Sequence, residues 1–294
     1  MMNEAEYFQT YKQLLFAIAY RTLGSATDAE DIVQETFADL LQARPQADKM
    51  KAYLCKIVYN KCKDRIRAAA KERLAYVGPW LPEPLLTDPS EQYLHRESLA
   101  MAYLLLLQQL SETERTVFIL REAGEFSYSD IAYVVEKNEA NCRQIYRRAK
   151  KALENHELRP EAEAARAKPL IESFVHALQN GDLEKLLGLL SDDVLFAADS
   201  GGQQQGSLVP VRTSERVASF LMKTSSLIPP EMRTEFKRVN GGWGLVLSTG
   251  SGILYVFSFQ LRTNRIQRIY VTANPDKLTF IGRQISLEID SAMP

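Results

Sequence analysis

The chain has 294 residues, 46% of them apolar and 25% charged, with a formal net charge of -1. That is the make-up of an ordinary soluble protein with room for two or three domains, and the neutral total leaves local basic patches free to exist. The longest aliphatic run, MAYLLLL, is too short to span a bilayer, and the acidic start, MMNEAEYFQT, lacks the basic-then-apolar pattern of a signal peptide, so the cytoplasm is the expected location, with no membrane partner. Cys55, Cys62 and Cys142 are too few and scattered for a disulfide framework, and no histidine lies near the first two. Packed thiols are expected, and no metal or other cofactor.

Residues 1–75 read as helical. In DAEDIVQETFADLLQ, the set Ala29, Ile32, Val33, Thr36, Phe37, Leu40 and Leu41 recurs at three- and four-residue steps, which predicts one buried helix face. Asp28, Asp31 and Glu35 fall on its early, exposed part, where acidic groups suit the helix dipole. After the loop ARPQADKM, a helix is expected from about Lys49 to Arg73, with the stripe Leu54, Ile57, Val58, Cys62 and Ile66 facing inward. Ten cations (Arg44, Lys49, Lys51, Lys56, Lys61, Lys63, Arg65, Arg67, Lys71 and Arg73) stand here against Asp48, Asp64 and Glu72. Lys56, Tyr59, Asn60, Lys63 and Arg67 are expected opposite the stripe, with Tyr53 interleaved. Cation plus aromatic on one surface is what phosphate neutralisation and base stacking require. A solvated basic helix accounts for this stretch equally well.

The segment VGPWLPEPLLTDPS, residues 77–90, holds four of the twelve prolines and one of the two tryptophans. Proline fixes its own φ and restricts the residue before it, so the segment is expected to be extended and stiff. Trp80, Leu81 and Leu85 give it apolar area that a plain spacer does not need. Beyond it, residues 91–156 are helical again. Ser111 followed by Glu114 has capping-box spacing, and the helix it opens closes at Gly124. YSDIAYVV makes a short helix, and EANCRQIYRRAKKALE a third, with Asn138 as its N-cap and Cys142, Ile145, Tyr146, Ala149 and Leu153 inward. Lys137, Arg143, Arg147, Arg148, Lys150 and Lys151 outweigh Glu139 there. The outward set is Asn141, Arg143, Gln144, Arg147 and Arg148, side chains able to contact adenine and guanine edges in a major groove. A structural helical hairpin is the plainer alternative.

After Pro169 the composition changes. One more helix, PLIESFVHALQNGD, is followed by LEKLLGLL and then by DVLFAAD, EFKRVN, WGLVLSTG, GILYVFSFQL and RIQRIYVTA, β-branched and aromatic segments with Gly and Asn breaks. They predict the strands of a curved, mostly antiparallel sheet in an α+β domain.

Two basic helical modules joined by a stiff linker suggest a grip on DNA at two places. YRTLGSATDAEDIVQETFADLLQ with KMKAYLCKIVYNKCKDRIR resembles region two of an extracytoplasmic-function sigma factor, and LSETERTVFILREAGEFSYSDIAYVVEKNEANCRQIYRRAKKAL resembles its region four, in the right order. The resemblance implies binding to core RNA polymerase, region two meeting the β′ clamp helices through Asp31, Gln34 and Glu35 and region four meeting the β flap. It implies promoter DNA as the second partner. Tyr53, Lys56, Tyr59, Asn60, Lys63 and Arg67 would open and read the −10 element, and Asn141, Arg143, Gln144, Arg147 and Arg148 the −35 element.

The remainder also carries a resemblance. PLIESFVHALQNGDLEKLLGLLSDDVLFAADSGG resembles the start of a SnoaL-like domain, a cone of helices capped by a curved sheet. GPWLPEPL and RIQRIYVTANPDKL are similar to the linker and C-terminal signatures of the SigJ-like subgroup, which carries that domain fused. Where relatives show Asp, three glycines and a basic residue, this chain has Asp199, Ser200, Gly201, Gly202 and Gln203. The fold class expected is thus multidomain: two all-α domains, then an α+β SnoaL-like cone with a curved antiparallel sheet. The expected divisions are 1–75 (region two), 76–98 (linker), 99–156 (region four) and 165–294 (SnoaL-like). In that subgroup no separate anti-sigma factor is expected and the fused domain acts in cis, here by docking Trp80, Leu81, Pro82, Glu83, Pro84 and Leu85 near Asp199, Gly201, Gly202 and Asn274, Pro275, Asp276 and Lys277. Two other readings stay open: a conventional helix-turn-helix regulator whose SnoaL-like domain senses a small molecule, and a SnoaL-like enzyme with a DNA-binding appendage. For the enzyme, Asp199 is the best candidate base. His176 reads as packed or at the surface, and the main reading is not an enzyme.

Overall fold

The computed structural model describes residues 4–43, 49–87, 100–154, 161–202, 208–225 and 231–292. Arg44, Asp48, Gln203 and the linker beyond Thr87 lie outside the described residues. The chain divides into two compact units, one holding Met1–Ala75 and Tyr103–Glu157, the other Tyr76–Ser90 and Leu158–Pro294. No helix among the described residues is long and apolar enough to cross a membrane.

The first unit is all helical: α1 (Glu4–Leu23), α2 (Ala26–Ala43), α3 (Met50–Ala75), α4 (Met101–Leu107), α5 (Glu112–Glu122), α6 (Tyr128–Val135) and α7 (Glu139–Glu154), α4 beginning just outside it. Gly24, at φ +72, turns α1 into α2, and the Ser25 hydroxyl accepts from the Asp28 amide to cap the new helix. Ala29, Ile32, Val33, Thr36, Phe37 and Leu40 are buried as the periodicity requires, and the Thr36 hydroxyl is satisfied by Ile32 O at 2.7 Å. Leu41 is 50% exposed, because one residue beyond Leu40 turns it away from the stripe. Of the α3 stripe, Leu54, Val58 and Cys62 are buried, while Ile57 and Ile66 are only half so.

Helix caps account for the breaks. Ser111 and Glu114 form a reciprocal capping box, Ser127 accepts from the Asp130 amide, and Asn138 Oδ1 accepts from the Asn141 amide at 2.8 Å. The left-handed Glu136, at φ +54, makes the turn between α6 and α7. Arg115, 5% exposed, donates to Gln108 Oε1 and to the carbonyls of Thr22, Gln108 and Leu110, while Arg73 donates to Leu23 O. These guanidinium groups satisfy carbonyls left open at the end of α1 and tie it to α3 and α5.

The second unit is α+β: α8 (Glu161–Gln179), α9 (Leu183–Leu189), β1 (Leu190–Asp199), β2 (Val211–Arg212), α10 (Ser214–Ser225), β3 (Arg233–Val239), β4 (Gly242–Thr249), β5 (Gly252–Arg262), β6 (Arg265–Thr272) and α11 (Pro275–Ala292). The sheet order is β2-β1-β6-β5-β4-β3. Asn240-Gly241 and Thr263-Asn264, all at positive φ, make two-residue hairpin turns. Register shifts at Leu247/Ser248 and Gln260/Leu261 mark bulges, which bend a sheet. The sheet is mostly antiparallel, as expected, and the β1–β6 pair is its parallel exception. Its cause is connectivity: β1 and β6 come from opposite ends of the domain and meet only after the meander folds back. Strand alternation divides the core. Phe174, Val194, Phe196, Val217 and Ile269 fill the side covered by α8, α9 and α10, while Val239, Val246 and Val256 pack against Leu278 and Ile281 of α11.

Candidate nucleic-acid interface and linker clasp

On α7 the inner and outer faces are those the 3.6-residue period dictates. Cys142, Ile145 and Ala149 are buried; Asn141, Arg143, Gln144, Arg147 and Arg148 are all exposed. Arg143 is not loose. Its guanidinium lies 4.9 Å from the Tyr128 ring and donates to Glu139 Oε2 at 2.9 Å. Arg148 pairs with Glu114 at 3.5 Å. An exposed row of guanidinium and amide groups on one helix can lie in a major groove and meet both phosphates and base edges.

On α3 the arrangement departs from the expectation in one place. Tyr59 is 7% exposed, because it shares three- and four-residue steps with Cys55 and Cys62 and so belongs to the inner face. It is corrected from the outward row to the core edge, with Lys63 Nζ 5.9 Å from its ring. Tyr53, Lys56 and Lys63 are half-buried, while Asn60 and Arg67 are exposed. Lys56 pairs with Glu136 at 2.8 Å, and Arg67 approaches Glu112 at 3.9 Å. The Glu136 carboxyl is held below the usual range by its bond to Lys56, and that of Asp130 by its bonds to Lys49 and Ser127. On α2, Asp31, Gln34 and Glu35 are exposed together, with Glu35 and Asp39 sharing Lys61 at 3.0 Å each.

In the second unit the linker is part of the fold. From Leu81 to Thr87 every residue is buried, Leu81 to 2% and Leu85 to 1%, with Pro82, Glu83 and Pro84 between them. Leu86 bridges Val239, with Thr87 N donating to Arg238 O and Asn240 N to Leu85 O, so the segment extends the β3 edge. Gln284 on α11 brackets Leu86 by donating to its carbonyl and accepting from its amide.

Asp199, fully buried at the end of β1, is the hub. Its side chain accepts from the Tyr76 hydroxyl, the Leu81 amide at 2.8 Å, the Gly201 amide at 3.1 Å and Lys277 Nζ at 2.6 Å. Lys277 Nζ also donates to Leu81 O at 2.6 Å and lies 4.2 Å from the centre of the Trp80 ring. Asn274 donates to the Tyr76 hydroxyl and, ahead of Pro275, accepts from the Asp276 amide to start α11. Burial, with the bond to Asp199, raises the Tyr76 pKa and keeps the phenol protonated. The Gly201 position, at φ +64, favours glycine: a Cβ there would stand 2.8 Å from the Asn274 side chain, which would have to shift. Gly202, at φ +80, lies beside Val77. The sequence reading missed Tyr76, Thr87 and Gln284; no spacing marks them. It also missed helix α11 itself, although Asn-Pro-Asp is a helix-start signal.

The comparisons with known proteins follow this division. The family Sigma-70 region 2 matches residues 7–72, and Sigma-70, region 4 matches residues 100–153. The chain is similar to the ECF RNA polymerase sigma factor SigJ of Mycobacterium tuberculosis, 29% identical over 94% of this chain and 93% of that one. A second relative, named "Probable ECF RNA polymerase sigma factor SigI" in the same organism, is 26% identical over 92% of this chain and 93% of its own. The crystal structure of M. tuberculosis SigJ matches with a TM-score of 0.76 and 26% identity, covering 94% of this chain and 98% of that one.

Proposed function

The chain belongs to the extracytoplasmic-function RNA polymerase sigma factors, of the kind with a fused SnoaL-like domain, and from that premise we propose that its C-terminal unit sets its activity in cis by holding the linker. As a sigma factor it binds core RNA polymerase and directs transcription from promoter DNA. In the proposal, residues 1–75 dock on the β′ clamp helices through Asp31, Gln34 and Glu35, and α3 handles the −10 element. Residues 99–156 meet the β flap and lay α7 in the −35 major groove. Residues 76–98 join them, and 165–294 are the regulator. The cytoplasm is its place of action, and the fused unit takes the role that a separate anti-sigma factor has elsewhere.

One observation carries this reading. Asp199 and Lys277 hold the amide and carbonyl of the same residue, Leu81, so the linker's main chain is gripped independently of its side-chain packing. The prolines reduce the entropy lost on docking. The same hub supports a regulatory rather than a catalytic SnoaL-like domain. A general base needs a free lone pair facing substrate, whereas the Asp199 carboxylate is buried among four donors. His176 is exposed on α8 beside Asn180.

The test is transcription in vitro with purified core polymerase and a template carrying the protein's own upstream region. Wild type is compared with Lys277→Met and Leu81→Ala in the full-length chain. Both substitutions are expected to change transcript yield in the same direction with core binding unaltered. Equal yields from all three proteins would overturn regulation through the linker.

A further inference from the structure

Within the helical unit, the lysines at the start of α3 face α6 and the turn before it. Lys49 Nζ lies 2.6 Å from Asp130 Oδ1, and Lys56 Nζ lies 2.8 Å from Glu136 Oε1. Between them Lys51 donates to the carbonyl of Gly124 at 3.0 Å and sits 4.3 Å from the Phe126 ring. Lys56 is also 4.9 Å from the Tyr133 ring. Further along α3, Arg67 meets Glu112. Three lysines are thus offered two carboxylates, one carbonyl and two aromatic rings by a single short stretch, Gly124 to Glu136.

Those are the chemical functions a single strand of nucleic acid offers to such a surface: anionic oxygens at intervals, with flat rings between them. We propose that the edge of the helix-turn-helix from Gly124 to Glu136 is an internal mimic of single-stranded DNA, which occupies the α3 lysines until promoter DNA displaces it. The proposal rests on the reading of α3 as a DNA-binding helix. None of Asp130, Tyr133 or Glu136 belongs to the outward row of α7, so the mimic and the −35 reader are separate faces of one helix-turn-helix. Its contacts suit a competitor. The Lys49 side chain is 67% exposed and that of Glu136 68%, so both pairs are reached by water and salt and are individually weak. A strand making several phosphate contacts at once displaces them without unfolding either helix.

The test uses the full-length protein and a short fluorescein-labelled single-stranded DNA. Asp130→Asn, Tyr133→Ala and Glu136→Gln, combined in one chain, are expected to tighten binding by about three- to tenfold at low salt, the range for loss of two exposed pairs. Adding Lys56→Ala to that chain is expected to weaken it again. If Lys56→Ala weakens binding but the triple variant does not tighten it, α3 binds DNA and the mimic is overturned. If Lys56→Ala has no effect in the triple variant, the DNA-binding reading of α3 falls and the mimic falls with it. A second arm holds the contact shut covalently: Lys49→Cys with Asp130→Cys, joined by a short reducible bismaleimide spacer, is expected to abolish binding that reduction restores. Unchanged binding by the cross-linked protein would also overturn the proposal. Cys55, Cys62 and Cys142 are buried and stay out of the reaction.

Discussion

Lys277 and Asp199 meet as an ion pair 2.6 Å long, Asp199 with no exposed side-chain surface and Lys277 with 10%, and between them they hold the main chain of Leu81, Asp199 accepting from its amide and Lys277 donating to its carbonyl. Burying two charges is costly, and further hydrogen bonds offset the cost: Asp199 also accepts from Tyr76, Leu81 and Gly201, and Lys277 also donates to Leu81 O. The linker supplies part of that offset, through the Leu81 amide and carbonyl and the Tyr76 hydroxyl. Its position is therefore coupled to the stability of the C-terminal α+β unit.

Removing one partner exposes that coupling. Lys277→Met leaves a buried carboxylate and is expected to cost about 3 kcal/mol. Both tryptophans, Trp80 and Trp243, lie in the second unit, so a urea transition followed by tryptophan fluorescence reads this unit by itself. Adding Asp199→Asn to Lys277→Met is expected to recover part of the loss, because no unpaired charge then remains.

Gly201→Ala tests the turn. An L-residue at φ +64 costs about 1–2 kcal/mol, and the new methyl must also displace Asn274, which holds Tyr76. The same fluorescence transition is expected to move to lower urea by at least that amount. Gly188→Ala in α9, where a Cβ meets nothing within 4 Å, is the control and is expected to be neutral or slightly stabilising.

The cysteines give a chemical probe of the helical unit. Burial pushes the Cys55 thiol up to about 12 and raises Cys62 as well, so at pH 8 almost no thiolate exists at either. Iodoacetamide is expected to leave both unmodified in the native protein and to label them in denaturant, as read by mass spectrometry. Rapid native labelling of Cys55 would mean that α3 separates from its neighbours on that timescale.

Salt, rather than pH, is expected to loosen α3 from α6. Asp130 faces Lys49 and Ser127, and Glu136 faces Lys56 and Lys63; both carboxyls are depressed. A depressed carboxylate contributes stability that is fully present above its ordinary pKa and is lost as pH falls through the lowered one, so nothing changes between pH 6 and 8. Screening acts directly on exposed pairs. Energy transfer between dyes on α3 and α6 is expected to be flat across that pH range and to fall with added salt.

On α7, Arg143→Ala is expected to weaken polymerase binding to a cognate promoter by roughly 1–3 kcal/mol and to relax preference at one −35 position. Lys151→Ala, on the same helix, is expected to weaken all sequences alike if it meets only phosphate. Equal affinity of wild type and Arg143→Ala for cognate and altered promoters would remove Arg143 from base readout.

Much of the helical unit was legible because its signals are local. Periodicity put Cys142, Ile145 and Ala149 inside and Arg143 and Gln144 outside, and caps at Ser111 and Asn138 fixed where helices begin, since a helix relates residues three and four apart. The same rule, applied to α3 with too narrow a stripe, left Tyr59 on the wrong face. A helix packed on several neighbours buries more than one row, and only those neighbours say how wide the buried face is.

Sequence alone determined the two helical modules, the strands and the stiff linker, all of which depend on residues within a turn or a few positions of one another. Tertiary structure decided what the linker touches and what the α3 lysines face. Asp199 reaches Leu81 across 118 residues, Lys277 reaches Asp199 across 78, and Lys49 reaches Asp130 across 81. No local pattern encodes such pairings. They follow from where folding carries each charge, and from the rule that a charge taken out of water is held only where partners are waiting.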